Sequence, residues 1–117
     1  MAIAVDETNF PQEVLQSQTP VLVNFWAPWC GLCRVMSPLL NRLQADFPGQ
    51  VKLVDINADD NLKLANTYRL TNLPTLLLFD GGQVVRRLED FRTRDELRTA
   101  LVSLQDVIDT TLATTAR

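Results

Sequence analysis

The chain has no histidine and two cysteines among its 117 residues. A structural zinc site takes four ligands, mostly Cys and His, so no metal site within one chain is expected. A metal or cluster shared between two chains stays open. No run of about 18 apolar residues occurs, so no membrane-spanning helix is expected. Basic excess is missing too: 11 Lys and Arg face 14 Asp and Glu, a net charge of −3. That balance gives no footprint for nucleic acid or an anionic membrane. The first residues, Met1 to Asp6, lack a basic stretch and are too short for a signal peptide, which implies a cytoplasmic protein. No repeat, linker or low-complexity tract breaks the chain. One domain over residues 1–117 is expected, with 108–117 a helix end or frayed tail.

Hydrophobic spacing supplies the elements. Residues 2–5 suit a short edge strand. Residues 8–17 read as helical, with Thr8 or Asn9 as cap and Pro11 in the first turn. Val21 to Trp26 is nearly all apolar, the pattern of a strand buried on both faces. Val35, Met36, Leu39, Leu40, Leu43 and Phe47 then recur at helical spacing, with Pro38 inside to kink the axis. Lys52 to Ile56 is a further strand, so residues 21–56 form a strand–helix–strand crossover with parallel strands. Asp59 or Asp60 can cap a short helix through Tyr68. Leu76 to Phe79 and Gln83 to Leu88 flank the turn Asp80-Gly81-Gly82 as an antiparallel pair. Thr93 to Glu96 is a capping box, opening a helix striped by Leu97, Ala100, Leu101, Leu104 and Ile108 that frays toward Thr110. The class is α/β: a central mixed sheet of about five strands flanked by four helices.

Cys30-Gly31-Leu32-Cys33 falls where the buried strand ends and the helix begins. As a staple, a Cys30–Cys33 bond closes too short a loop to restrain much entropy. As a reversible redox pair it has a rationale. Disulfide exchange needs a thiolate, and an ordinary thiol of pKa ~8.5 is mostly protonated at neutral pH. Unsatisfied N–H groups at a helix N-terminus favour the charged form at Cys30. Cys30 is then the nucleophile. Cys33, one turn on and deeper, resolves the mixed disulfide. Trp29 offers a flat apolar surface beside them.

The stretch Phe25-Trp26-Ala27-Pro28-Trp29-Cys30-Gly31-Leu32-Cys33-Arg34 resembles the active-site segment of the thioredoxin family, whose usual form is F-W-A-x-W-C-G-P-C-K. Leu73-Pro74-Thr75 with the apolar run to Phe79 and Gly81-Gly82 resembles that family's second motif, and Pro38 its helix-kinking proline. The resemblance covers roughly residues 3–106. It implies a thioredoxin fold, a cis peptide before Pro74, and a substrate groove made by Trp29, Gly31, Leu32, Leu73 and Pro74. It also implies protein disulfide or dithiol substrates, a separate thioredoxin reductase, a monomer, and no cofactor besides the Cys30–Cys33 disulfide.

Four departures surround this site. Leu32 replaces the usual proline and restores an N–H near the Cys30 sulfur, which implies a potential less negative than about −270 mV. Asn24 replaces a buried aspartate thought to take the resolving thiol's proton, and an amide cannot do so. Asp55 replaces the lysine beside that aspartate, making it a candidate surrogate base. Asp90 and Asn72 replace glycines where substrates approach, which narrows the groove and disfavours acidic partners. The C-terminal helix pattern continues past the usual family end. The leading expectation is an atypical thiol–disulfide oxidoreductase. The rival is a protein-interaction module that keeps the fold and turns over poorly.

Overall fold

The computed structural model describes residues 2–115. Five strands form one mixed sheet: β1 (Ile3–Ala4), β2 (Val21–Trp26), β3 (Lys52–Asn57), β4 (Thr75–Asp80) and β5 (Gln83–Leu88). Their order is β1-β3-β2-β4-β5. β3 runs parallel to β1 and β2; β4 runs antiparallel to β2 and β5. Around the sheet lie a π-helical segment Pro11–Leu15 and three α-helices, α1 (Gly31–Ala45), α2 (Leu62–Thr67) and α3 (Arg94–Thr115). This is the architecture of the thioredoxin fold.

The apolar run of β2 is buried because both faces of the sheet are covered. Strand alternation sends Leu22, Leu53, Leu76 and Leu78 toward α1 and α3, where they meet Met36, Leu40, Leu97 and Leu104. Val21, Val23, Phe25, Val54, Ile56 and Leu77 point the other way, against Phe10, Val14 and Leu64. Phe79 joins that second layer through edge-to-face contacts with Phe10 and Tyr68. Asn24 shares the parity of Leu22, and Asp55 that of Leu53. Both therefore face the α1 layer.

Several local readings needed correction. The first helical segment is shorter than residues 8–17: it spans Pro11–Leu15 with Phe10 at its N-cap and no side-chain cap, so neither Thr8 nor Asn9 caps it. Asp6 leads the turn: its carboxylate accepts from the Thr8 and Asn9 N–H groups, while Asn9 Oδ1 accepts from the Asp6 N–H at 2.8 Å. Neither Asp59 nor Asp60 caps α2. Asn57 caps the 3-10 turn Ala58–Asp60, and Glu7 Oε2, more than fifty residues upstream, accepts from the Lys63 N–H at 2.8 Å. The Thr93–Glu96 box is present as read, with reciprocal bonds of 3.0 and 3.2 Å. α3 does not fray at Thr110. It runs to Thr115, with Leu112 packed on the core; residues 116 and 117 lie outside the described residues.

In the hairpin, Gly81 and Gly82 take φ of 61° and 82°. That pairing suits a two-residue turn whose twist matches the strands. A Cβ on Gly82 would lie 2.9 Å from the Leu15 carbonyl oxygen. Glycine is required there by close approach as well as by φ.

Candidate active site

β2 and the start of α1 place the dithiol. After Trp26 the chain turns through Ala27-Pro28-Trp29, and the Cys30 N–H closes this turn on the Ala27 carbonyl at 3.1 Å. Cys30 is the N-cap of α1, and its sulfur accepts the Cys33 N–H at 3.1 Å. A capping sulfur is therefore held where the helix presents its unsatisfied donors. The sulfurs of Cys30 and Cys33 are joined as a disulfide, with Cα atoms 5.3 Å apart. The donor on Cys30 is the N–H of Cys33. The N–H of Leu32 belongs to the position before it in the same first turn.

The expected difference in depth between the cysteines is not seen: each is 5% exposed. They differ in their surroundings. Cys30 adjoins Trp29, which is 68% exposed. Cys33 helps to line a cavity of about 270 Å³ with Asn24, Trp26, Arg34, Ser37 and Asp55. The Arg34 guanidinium donates to the Pro28 carbonyl at 3.0 Å and ties the approach loop to α1.

Asn24 and Asp55 are register partners on β2 and β3. Asn24 Nδ2 donates to Asp55 Oδ1 at 3.1 Å. Asn24 is 2% exposed, and its Oδ1 is buried without a hydrogen-bond partner. Burial raises the Asp55 pKa above 3.8, and the bond from Asn24 offsets only part of that rise.

Register also brings the other candidates to this end of the sheet. Thr75 pairs with Phe25, so Pro74 falls level with Trp26, the last residue of β2, ahead of the dithiol segment. The Leu73–Pro74 peptide is cis. Leu88 pairs with Leu76, which carries Asp90 to the same end. Asn72 Nδ2 donates to the Asp90 carboxylate, and the Asp90 N–H donates to Asn72 Oδ1 at 3.0 Å. Asp90 has φ of 66°, a left-handed conformation that glycine takes freely and that Asp tolerates better than most residues. Trp29, Leu73, Pro74, Asp90 and the dithiol thus share one edge of the molecule.

Two contributors were not read from the sequence. Asp59 accepts the Trp29 indole N–H at 2.9 Å and fixes the ring while its face stays exposed. Ser37 lines the cavity one helical turn after Cys33; its spacing of four residues was the available signal. Among the described residues no cluster of His, Cys, Asp or Glu is arranged to hold a metal ion. No helix among them is long and apolar enough to cross a membrane.

Comparison with known proteins agrees with this geometry. The family model Thioredoxin matches residues 1–103. Thioredoxin 1 of Nostoc sp. is 45% identical over 84 residues, covering 72% of this chain and 78% of that protein. Thioredoxin 1 of Synechococcus elongatus is 46% identical over 85 residues, covering 73% and 79%. A chloroplastic M-type thioredoxin of Zea mays is 42% identical over 81 residues, covering 69% of this chain and 48% of its own length.

Proposed function

Given that the chain belongs to the thioredoxin family and carries a thiol–disulfide oxidoreductase pair in Cys30 and Cys33, we propose that it reduces disulfides of a restricted set of protein partners and is less reducing than typical members. The observation that carries this reading is the placement of Cys30 as the cap of α1, with Cys33 held behind it against a cavity. The Cys30 thiolate attacks a substrate sulfur, forms a mixed disulfide and releases the first substrate thiolate. Cys33 then attacks Cys30, forms the internal disulfide and releases the second. Two electrons pass to the substrate, and the pair itself is the redox group. A separate reductase restores the dithiol. The protein acts as a monomer in a reducing compartment, the cytosol in the simplest case.

Leu32 supports the lower reducing power. It occupies the second position of α1 and supplies an N–H that proline lacks. An N-cap acceptor is served by the second or third N–H of the helix, so a Cys30 thiolate has two donors in place of one. A better stabilised thiolate makes the reduced form more stable and the disulfide a stronger oxidant, with a potential less negative than about −270 mV. The Asn72–Asp90 bracket supports a restricted substrate range, since it puts side chains and negative charge at the groove edge.

Reduction of insulin disulfides driven by dithiothreitol tests the activity: turnover must be present and must vanish in Cys30→Ser. Specific partner binding that survives Cys30→Ser, with negligible turnover, establishes the rival interaction module instead. A glutathione titration giving a potential equal to or below the family value removes the claim about Leu32. Trapping with Cys33→Ser captures the mixed disulfides and identifies the partners.

A further inference from the structure

Buried Asn24 and half-buried Asp55 are bonded to each other and line one cavity with the resolving cysteine. From this geometry we propose that Asp55 accepts the proton of the Cys33 thiol through water in the shared cavity, with Asn24 positioning both the carboxylate and that water. This rests on the exchange reading above and names the residue that completes its second step.

Elimination singles out Asp55. Cys33, Asn24, Arg34, Ser37 and Asp55 are the polar residues lining the cavity. An amide takes no proton, a guanidinium is a donor only, and a neutral hydroxyl is a poor base. Among the described lining residues, the Asp55 carboxylate is left. The cavity, at about 270 Å³, has room for several waters. Its lining carries the several polar groups that a wetted cavity requires.

Asn24 supplies the directionality. With Nδ2 donating to Asp55, its Oδ1 is left as a buried acceptor without a partner. The flipped amide would set oxygen against carboxylate oxygen, so the orientation is imposed by charge. An unmet buried acceptor is costly and is usually served by water. A water held there has one hydrogen on Asn24 and a lone pair free for the thiol proton. Neutral Asp55 still accepts from Nδ2 through its carbonyl oxygen. The pair therefore changes protonation without rearranging.

The proton balance is simple. Cys33–SH gives its proton to Asp55 through water as the sulfur attacks Cys30. The Cys30–substrate bond breaks, and the departing thiolate takes a proton from solvent. Asp55 later returns its own to solvent. Other groups facing Asp55 do not substitute for it. Arg34 of α1 is engaged by the Pro28 carbonyl. β1 presents Ala4, and Asp6 and Asp60 share a second hollow with Asp55 that Cys33 does not line. Desolvation sets the direction of the Asp55 shift, toward a carboxyl that holds a proton more readily than an exposed one.

The test separates the two steps. Stopped-flow reaction of the reduced protein with an aromatic bis(nitrobenzoate) disulfide releases one coloured thiolate when Cys30 attacks and a second when Cys33 resolves. Asp55→Asn is expected to slow the second release about tenfold or more at neutral pH, a general-base contribution. The first release should change by less than about twofold, and the deficit should close as pH rises past the ordinary thiol value near ~8.5. Asp55→Glu should recover much of the rate. An unchanged second phase, or equal slowing of both phases at every pH, overturns the proposal. A second measurement needs no variant: carbon NMR of the Asp55 carboxyl should show its titration altered between reduced and oxidised protein. Identical titration in both states overturns the proposal as well. Failure of the exchange reading looks different, because the first release would then persist in Cys30→Ser.

Discussion

Replacing Asp90 separates backbone conformation from side-chain bonding at the groove edge. Two opposing effects meet at this residue. Its φ of 66° favours glycine over alanine by about 1 kcal/mol. Its carboxylate accepts from Asn72 Nδ2, and an exposed bond of this kind contributes about 0.5–1 kcal/mol. The bond from the Asp90 N–H to Asn72 Oδ1 belongs to the backbone and survives either substitution. Asp90→Gly loses the side-chain bond and gains the conformational preference, so it should stay within about 0.5 kcal/mol of the parent. Asp90→Ala loses the bond and keeps a Cβ in a left-handed position, so it should fall by about 1 kcal/mol. For 117 residues that corresponds to about 4 °C in Tm. Thermal unfolding followed by circular dichroism resolves the difference. The same variants carry a functional arm. Removing one charge a few ångströms from a substrate charge in water changes kcat/KM by about 3- to 5-fold. Asp90→Gly should raise the rate on acid-flanked disulfide peptides relative to base-flanked ones by that factor, and 1 M salt, with a Debye length of about 3 Å, should erase it. An alanine variant as stable as the glycine variant refutes the conformational argument. An unchanged peptide ratio refutes the electrostatic one.

Other consequences are equally direct. Folded Asp55 has a pKa raised by burial, so the folded state binds more protons than the unfolded one just above 3.8, and stability falls as pH rises through that window. Asp55→Asn should therefore shift the urea midpoint upward at neutral pH, with the gain vanishing below the ordinary carboxylate value; a variant destabilised at both pH values contradicts this. Arg87 of β5 donates to the Arg69 carbonyl at 2.9 Å and to the Tyr68 carbonyl and the Glu89 carboxylate, closing the C-terminal end of α2. Arg87→Met should cost about 1–2 kcal/mol in urea unfolding, and a loss below about 0.5 kcal/mol would show the carbonyls to be equally well served by water. Gly81→Ala should cost about 1 kcal/mol for φ alone, whereas Gly82→Ala must also displace the Leu15 carbonyl and should cost about 2–3 kcal/mol. Equal losses at the two glycines would mean that the Leu15 segment moves aside freely.

The fold was legible where periodicity and local chemistry agree. The apolar run of β2, the stripe of α1 and the Thr93–Glu96 box each specify one outcome. Legibility failed where several local solutions compete or where the partner is distant. Thr8 or Asn9 was the expected cap, yet the structure builds the turn on Asp6, with Asp6 and Asn9 reciprocal. Glu7 serves α2 from across the sequence, which no local window contains. At the end of α3 the pattern continued past the usual family end and fraying from Thr110 was expected; packing of Leu112 on the core decides for the helix. At the site, the strand-to-helix junction was readable, and so was the adjacency of Asn24 and Asp55, because parallel pairing of β2 and β3 follows from the crossover. The cavity was not readable, since it depends on how α1 packs over the sheet. Equal burial of Cys30 and Cys33 was unforeseen for the same reason.

The sheet order has a consequence for how the molecule comes apart. β2 is central, paired along its length with β3 on one side and β4 on the other. β1 has two residues and β5 lies at the opposite edge with its valines exposed. Opening free energies rise from the periphery of a structure to its core strands. The amides of β2 should be the last to exchange with solvent, and those after β5 among the first. Reactive sulfur chemistry is thus anchored to the slowest-opening strand, while the Asp90 side of the groove hangs from an edge strand. Under rising denaturant, discrimination among partners should disappear while the dithiol still reacts.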